Sequence, residues 1–296
     1  CDSGATLGTS APPRLFLNDG NGNFSDQPGM LNGVPKTSAQ MVSMVDIDGD
    51  LDPDVIVDGR STPQQLYIND GSANFTFNGT ALPAGSNNVY ETDWADLDLD
   101  GDVDGAYTSM SAFNEGIAIN NSTPGNLSFG GGTHVLAGFN GTDATAVAIL
   151  DYDNDGDLDL VVASLANATE KVYTNGGGPL GPGAFTFDAN VFQATSDSTL
   201  DLCLADFDND GDVDCATAQG ESGNFANRYY TNNGPADTVG PVVNRMTTFD
   251  PTVIESKVFP NGLIIRAWVQ DGSYDSGRVW ATASLALTTT KGAFSQ

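Results

Sequence analysis

The chain has 296 residues and a formal net charge of −29, from 39 acidic and 10 basic residues. This charge disfavours nucleic acid and anionic membrane surfaces as partners, because Lys and Arg drive binding to both. Hydrophobic residues make up 39% of the chain, and 20 of the 39 acids lie in four short segments. This composition excludes a disordered chain and indicates a folded protein with cation sites.

The chain opens with the sequence Cys1-Asp2-Ser3-Gly4, and we expect residues 1–13 to form an N-terminal tail. This start resembles the mature N-terminus of a bacterial lipoprotein, whose first Cys carries the lipid. An arbitrary chain boundary is the alternative. No run of 18 apolar residues is present, so membrane contact is expected only through a lipid on Cys1. We therefore predict an extracellular or cell-surface location.

One element recurs along the chain: a short strand whose last residue is Asn, followed by a tight turn. Its copies end at Asn18, Asn69, Asn120, Asn175 and Asn232. Several copies are followed by a short aromatic segment. Asn-Gly and Asp-Gly turns between apolar strands are strong hairpin signals, so the pattern predicts a series of β-hairpins.

A nine-residue aspartate loop between two short apolar runs is the second recurring element. We call the copies loop 1 (46–54), loop 2 (96–104), loop 3 (151–159) and loop 4 (206–214), and number the positions of each from 1 to 9. All four fit the pattern D-x-D-x-D-x-x-x-D. The candidate metal-binding aspartates are Asp46, Asp48, Asp50, Asp52, Asp54, Asp96, Asp98, Asp100, Asp102, Asp104, Asp151, Asp153, Asp155, Asp157, Asp159, Asp206, Asp208, Asp210, Asp212 and Asp214.

These loops have the chemistry of calcium sites. Calcium takes about six to eight oxygen ligands in flexible geometry. Carboxylates at positions 1, 3, 5 and 9, with the backbone carbonyl of position 7, can surround one such ion, so we predict about four Ca²⁺. Magnesium fits less well, because it prefers small octahedral sites that keep water. Four solvated acidic turns are the alternative. An EF-hand is excluded, because it needs Glu at position 12 and flanking helices.

Loop 1 departs from the pattern, because Leu51 occupies position 6 and Gly49 occupies position 4. In the other loops a Gly at position 6 permits the sharp turn. Sliding the register by two residues would place Met44 at position 1 and remove a ligand. An apolar strand follows Asp54 directly, as one follows Asp159, so we predict the unshifted register.

Each period of the repeat supplies about four short strands and no helix, which is typical of a propeller blade. We predict an all-β chain in which residues 14–237 form a calcium-binding β-propeller of four to five blades, with terminal strands completing one shared blade. Residues 14–237 carry most of the acids, whereas residues 238–296 are nearly neutral. For residues 238–296 we predict an immunoglobulin-like β-sandwich segment with strands at 263–269 and 279–285.

Two cysteines, Cys203 and Cys215, bracket loop 4. Facing positions of a hairpin satisfy the Cα separation of a disulfide, which is below about 7 Å. We expect a disulfide, and two buried free thiols are the alternative.

The chain resembles the FG-GAP/VCBS repeat family, whose known members include the propeller of integrin α subunits. The loop ending Asp159-Leu160-Val161-Val162 and the hairpin Asn69-Asp70-Gly71 carry this resemblance, which covers about residues 14–233. It implies a propeller whose loops bind calcium and make the blades rigid, while partners usually bind elsewhere. Relatives include a fungal sugar-binding lectin and modules attached to secreted polysaccharide-degrading enzymes.

We expect an extracellular calcium-stabilised adhesion or structural module that binds other surface proteins or glycans, and assembly into a homo-polymer is a further hypothesis. The alternative is a carbohydrate-binding lectin in which Tyr90, Trp94 or Tyr152 stacks on sugars, although packing between blades also explains these aromatics. An accessory part of a polysaccharide-degrading enzyme is less favoured. We expect no enzyme, because the single histidine, His134, lies in no catalytic motif.

Overall fold

The computed structural model describes the following residues: 13–31, 39–59, 63–79, 88–109, 115–123, 126–129, 134–136, 144–165, 169–180, 184–189, 191–192, 198–220, 225–235, 238, 242–246, 267–270, 286–287 and 294–295. Every regular element among them is a β-strand, and all strand pairs are antiparallel. No helix in this part of the chain has the length and hydropathy of a membrane span. The prediction of an all-β chain is confirmed for these residues.

The strands pair in chain order into separate sheets. The N-terminal hairpin comprises β1 (Leu15–Asn18) and β2 (Phe24–Gln27). Sheet 1 comprises β3 (Ala39–Val45), β4 (Asp54–Gly59), β5 (Gln65–Asn69) and β6 (Phe75–Gly79). Sheet 2 comprises β7 (Val89–Ala95), β8 (Asp104–Ser109), β9 (Gly116–Ala118) and β10 (His134–Val135).

The second half of the chain continues this order. Sheet 3 comprises β11 (Ala144–Leu150), β12 (Asp159–Ser164), β13 (Lys171–Asn175) and β14 (Phe185–Asp188). Sheet 4 comprises β15 (Thr199–Ala205), β16 (Asp214–Gln219) and β17 (Arg228–Tyr230). In the tail, β18 (Val242–Met246) pairs with β19 (Ala267–Gln270), and β20 (Ala286–Leu287) pairs with β21 (Phe294–Ser295).

Each aspartate loop joins the first two strands of a sheet in one shared register. The residue before the loop pairs with the aspartate at position 9, as Val45 does with Asp54 and Leu150 with Asp159. The same pairing holds in sheets 2 and 4. A β-bulge interrupts the start of the first strand in all four sheets. Strands therefore flank every loop, as the sequence predicted.

The apolar cores lie between successive sheets. The first strands of neighbouring sheets contact one another, β3 with β7, β7 with β11 and β11 with β15. Between sheets 2 and 3, Ala95 and Ile117 pack with Val147, Leu160 and Tyr173, all of them buried. The second strands β4, β8 and β12 are buried along their whole length, because apolar residues pack on both faces of each. A row of sheets packed face to face follows from this pattern.

The N-terminal hairpin forms a sheet of its own. Within the described residues no further strand pairs with β1 or β2, so the shared terminal blade predicted from the sequence is not seen there. Leu15 packs against the buried cluster of Leu31, Val55, Val57 and Tyr67, the last three of which belong to sheet 1. In the tail, β19 overlaps the predicted strand at 263–269. The predicted strand at 279–285 lies outside the described residues, as does Cys1.

The predicted disulfide is wrong. Cys203 pairs in register with Ala216, and Cys215 pairs with Leu204, so the two cysteines are offset by one residue across the strands. Side chains alternate between the faces of a sheet, and a one-residue offset therefore places the two thiols on opposite faces. Cys203 is exposed and Cys215 is buried, and both are free thiols. The alternative of two buried thiols holds for Cys215 alone.

Candidate cation-binding site

The four aspartate loops share one backbone conformation. Positions 4 and 6 have left-handed φ values between 57° and 99° in every loop, at Gly49, Leu51, Leu99, Gly101, Asn154, Gly156, Asn209 and Gly211. Left-handed geometry is easiest for Gly, and leucine pays a steric cost there. Loop 1 thus has Gly at position 4 and Leu at position 6, whereas loop 2 has the reverse. This equivalence agrees with the unshifted register of loop 1.

The aspartate at position 1 is the centre of each loop's hydrogen bonding. Its Oδ2 accepts the N–H of position 6 at 2.8–3.1 Å in all four loops. In loops 2, 3 and 4 its Oδ1 also accepts the N–H of position 5 at 3.0–3.2 Å. The carboxylate at position 5 accepts the N–H of position 7 at 2.9–3.3 Å. These bonds hold the loop in a closed turn.

The aspartate at position 9 connects the loop to the rest of its sheet. One oxygen accepts the N–H of position 2 at 2.8–3.0 Å. The other oxygen accepts the N–H of the asparagine that ends the third strand (Asn69 and Asn175) or lies two residues beyond it (Asn120 and Asn232), at 2.7–2.9 Å. Burial raises the pKa of Asp54 and Asp159 to about 7 and that of Asp104 to about 8. A buried carboxylate of this kind favours either a proton or a cation nearby.

Carboxylate oxygens converge within each loop, lying within 4.8 Å of one another. Positions 1 and 3 take part in every loop, joined by position 5 in loops 1 and 4 and by position 9 in loops 2 and 3. The four clusters are Asp46 with Asp48 and Asp50, Asp96 with Asp98 and Asp104, Asp151 with Asp153 and Asp159, and Asp206 with Asp208 and Asp210. All donors are carboxylate oxygens, which hard cations such as calcium prefer.

Loop 2 shows how well these residues fit a cation. Asp98 Oδ1 is buried and accepts no hydrogen bond. Burial and the neighbouring Asp100 raise the pKa of Asp98, and burial raises the pKa of Asp96 to about 6. Leaving a buried carboxylate oxygen without a partner is costly. A divalent cation among Asp96, Asp98 and Asp104 would give Asp98 Oδ1 a partner and would offset the repulsion among these carboxylates.

The position 7 side chains lie outside the four clusters. A Cβ placed on Gly71 would be 3.0 Å from Asp52 Cγ, and a Cβ on Gly177 would be 3.1 Å from Asp157 Cγ. Both aspartates therefore pack against the glycine of the following hairpin turn. In loop 4, both carboxylate oxygens of Asp212 are buried without a hydrogen-bond partner.

Sequence reasoning missed the asparagines that end the third strands. Asn69, Asn120 and Asn175 are buried, and their amide groups donate to the carbonyl of position 8 in their own loops at 2.9–3.1 Å. Their side-chain oxygens accept the N–H two residues later, which forms the hairpin turn. The recurrence of Asn is the available signal in the sequence, and it predicts a turn but not these contacts with the loop.

A cleft of about 830 Å³ lies between sheets 3 and 4. Tyr152, Phe192, Tyr229 and Tyr230 line it together with polar groups such as Arg228. Phe192 and Tyr230 meet edge to face, with ring centroids 4.9 Å apart. Aromatic walls with a few polar groups are typical of small-ligand sites.

The aromatics predicted to stack on sugars have different environments. Trp94 is buried between sheets 1 and 2, and its Nε1 donates to Thr92 Oγ1 at 2.9 Å, so it belongs to the core. Tyr90 and Tyr152 are half-buried. Of the three, Tyr152 lines the cleft. His134 lies in β10, and its side chain is outside the described part of the structure.

Comparison with known proteins gives one family match and a likeness in fold. Seven chains of solved structures match. One is an Agrocybe aegerita lectin described as specifically recognising non-reducing terminal N-acetylglucosamine, with a TM-score of 0.50 and 18% sequence identity over 76% of this chain. The match covers 58% of that lectin chain. No curated protein sequence matches. Residues 151–217, which include loops 3 and 4, match the FG-GAP-like repeat.

Proposed function

We propose that this chain is a calcium-stabilised β-propeller module that acts outside the cell, in adhesion or as a structural part of a surface. The observation that carries the proposal is the fourfold recurrence of one loop. Four successive sheets hold the same aspartate loop in the same register, with a converging set of carboxylates. In all four loops the N–H groups of positions 6, 7 and 2 donate to the carboxylates of positions 1, 5 and 9 respectively.

The carboxylates of positions 1 and 3, joined by position 5 or position 9, would hold the cation in each loop. A bound calcium ion would supply positive charge that offsets the repulsion among these aspartates. The position 9 carboxylate would then be held as an anion while it accepts its two backbone N–H groups. Because those N–H groups belong to the loop and to the third strand, an ordered position 9 side chain fastens three strands of the sheet.

The propeller architecture is supported by three features. The sheets follow in chain order, their first strands are neighbours, and their cores lie between sheets. The FG-GAP-like repeat at residues 151–217 and the likeness in fold to a known lectin agree with this architecture. We propose four to five blades.

Thermal unfolding in calcium and in chelator tests the cation claim. A ligand that binds the folded state stabilises it by about 2.7 kcal/mol when present at 100 times its dissociation constant. We expect a lower midpoint in chelator, restored by calcium and less fully by magnesium. Asp153→Asn should weaken the calcium effect. The matched control Asp201→Asn changes an exposed aspartate outside the loops and should not. Equal midpoints with and without chelator would contradict the proposal.

Self-assembly is part of the proposed surface role. Val42 and Met44 on β3 are more than half exposed, and Phe16 on the N-terminal hairpin is 47% exposed, so apolar side chains are available for contact with other molecules. Sedimentation velocity of the chain in calcium tests the homo-polymer hypothesis. Concentration-dependent growth in mass is expected, and a monomer at all concentrations would refute it.

Carbohydrate binding is the second candidate function, and the cleft with Tyr152 favours it. A tyrosine face can stack on a sugar ring, and Arg228 can donate to its hydroxyl groups. Such a site would suit a lectin or a non-catalytic accessory module of a polysaccharide-degrading enzyme. A glycan array on the wild type and on Tyr152→Ala tests it, with Tyr90→Ala as the control outside the cleft. Binding that Tyr152→Ala leaves intact would exclude the cleft.

A further inference from the structure

The asparagines that end the third strands connect the aspartate loops of neighbouring sheets. The side-chain nitrogen of Asn120, two residues after β9 of sheet 2, donates to the backbone carbonyl of Ile47 in loop 1 at 3.0 Å. Asn175, in sheet 3, donates to the carbonyl of Leu97 in loop 2 at 2.9 Å. One bond of the same kind therefore crosses each of these two sheet interfaces.

A third bond extends the series to the last loop. Asn232, after β17 of sheet 4, donates to the carbonyl of Tyr152 in loop 3 at 3.3 Å. In all three cases the acceptor is the position 2 carbonyl, which lies between the carboxylates of positions 1 and 3. The links therefore end inside the segment that carries two cluster members.

The same asparagines are fixed by the position 9 carboxylate of their own loop. The backbone N–H of Asn120 donates to Asp104 Oδ1 at 2.8 Å, and that of Asn175 donates to Asp159 Oδ1 at 2.7 Å. Asp104 and Asp159 are themselves members of the acidic clusters of loops 2 and 3. One buried residue thus connects a cluster carboxylate of one loop with the backbone of the preceding loop.

The side-chain amide of Asn120 is held in place by hydrogen bonds from all of its polar groups. Asn120 Nδ2 donates to Ile47 O and also to Val103 O of its own loop at 2.9 Å, while its Oδ1 accepts the Ser122 N–H at 3.0 Å. Both amide hydrogens and the oxygen are used, and the residue is 1% exposed. Such a group transmits a shift of either loop, because a buried amide or carbonyl left without its partner is unfavourable.

We propose that Asn120, Asn175 and Asn232 are positioning residues that couple the four cation sites, so that a cation in one loop raises the affinity of the next. This inference rests on the proposed cation binding. A cation that orders positions 1 and 3 orients the position 2 carbonyl toward the asparagine, which in turn holds the position 9 carboxylate of the neighbouring loop. Coupling between two sites is reciprocal, so it acts in both directions along the row.

Loop 3 offers a site-specific reading of this coupling, because its position 2 residue is Tyr152, whereas loops 1, 2 and 4 have Ile47, Leu97 and Phe207 there. Terbium is a luminescent substitute for calcium, and we expect Tyr152 to sensitise it in loop 3. Every protein compared carries Tyr229→Phe, because the Tyr229 hydroxyl donates to Asp214 of loop 4 at 2.8 Å and this tyrosine would report terbium in loop 4. The experiment measures terbium affinity by tyrosine-excited luminescence in the wild type and after Asp96→Asn, which impairs loop 2. We expect Asp96→Asn to weaken terbium binding at loop 3 by about fivefold or more, within the usual range of coupling.

The link variant Asn175→Ala should abolish this effect, so that Asp96→Asn no longer changes the terbium affinity of loop 3. Asn69→Ala is the matched control. Asn69 has the same backbone bond to Asp54 and the same amide bond to its own loop, to Pro53 O at 3.0 Å. It contributes nothing to the bonds between loops 2 and 3, so coupling should persist in that background. Circular dichroism checks the fold of each variant.

The cycle can be repeated at the other side of loop 3 with Asp206→Asn and Asn232→Ala, since Asn232 is less buried and its substitution disturbs folding less. Coupling in the wild type and in Asn69→Ala that disappears in the link variants supports the inference. Independent sites in the wild type, or coupling that survives in both link variants, would overturn it while leaving cation binding intact. Absence of terbium and calcium binding in the wild type would overturn the proposed function and this inference together.

Discussion

Substituting Gly71 with alanine measures how firmly loop 1 packs against the hairpin of its own sheet. Gly71 has a φ of +77°, and a Cβ there would lie 3.0 Å from Asp52 Cγ and closer still to Asp52 Oδ2. Gly20 in the N-terminal hairpin provides the control. It also follows an Asn-Asp pair and has a φ of +79°, but a Cβ there would meet no atom within 4 Å.

Both variants carry the same backbone cost, about 1–2 kcal/mol for a left-handed alanine. Gly71→Ala must also displace the Asp52 carboxylate. Overpacking typically costs about 1–3 kcal/mol, and the mobile end of a side chain places this case near the lower limit. We therefore expect Gly71→Ala to lower the free energy of unfolding by about 1 kcal/mol more than Gly20→Ala.

Urea unfolding in calcium measures both variants. In an Asp52→Ala background, Gly71→Ala should lower the free energy of unfolding no more than Gly20→Ala does, because the clashing carboxylate is gone. The four proteins with and without Gly71→Ala and Asp52→Ala form a double-mutant cycle. Equal losses for Gly71→Ala and Gly20→Ala, or an excess that persists without Asp52, would refute the packing of the position 7 aspartate under the turn.

Three further expectations follow from the described residues. Burial raises the pKa of the position 9 carboxylates of loops 1–3 from 3.8 to about 7 or 8. In chelator, the stability that comes from their protonation is therefore complete below about pH 4 and is lost as the pH rises to about 8. The urea midpoint should fall across this range, and a rise would contradict the raised pKa values. In a Cys1→Ser background, iodoacetamide should modify the exposed Cys203 in the native protein and the buried Cys215 only after unfolding, because burial raises the pKa of Cys215 to about 12. Mass spectrometry measures the modification of each cysteine, and equal modification of both in the native protein would contradict this prediction. Gly105→Ala should cost about 1–3 kcal/mol in urea unfolding, since its Cβ would lie 2.6 Å from the buried Trp94 ring, and an unchanged midpoint would show that the ring can move.

The strands and loops could be predicted from the sequence because their signals are local. An aspartate loop carries its pattern within nine residues, and each Asn-ended strand carries its turn beside it. The register of loop 1 could also be inferred, since the strand after Asp54 begins at the same place as in the other sheets. The left-handed conformation of Leu51 was not predictable, because that position usually selects Gly.

Features that depend on how distant strands pair and pack could not be predicted from the sequence. The predicted disulfide failed on an offset of one residue, which changes the face of a side chain while leaving the sequence spacing plausible. The asparagine links join residues 73 to 80 positions apart, and no local pattern specifies such a contact. Trp94 was open to both interpretations until its position between two sheets was known.

The contacts between neighbouring sheets differ in chemistry from one end to the other. At the loop end, the asparagine links depend on carboxylates that crowd together and favour a cation. Away from the loops, Asp58 accepts Gln64 Nε2 and Thr92 Oγ1 at 2.7 Å each, which joins sheets 1 and 2 through a carboxylate outside the four clusters. Between sheets 3 and 4, Thr145 Oγ1 donates to Thr199 O at 2.6 Å. Loss of the proposed cations would therefore act on one end of each interface, while the apolar cores and the bonds away from the loops would keep the sheets together. Calcium bound as proposed would control the order of one end of the module more than the existence of the fold.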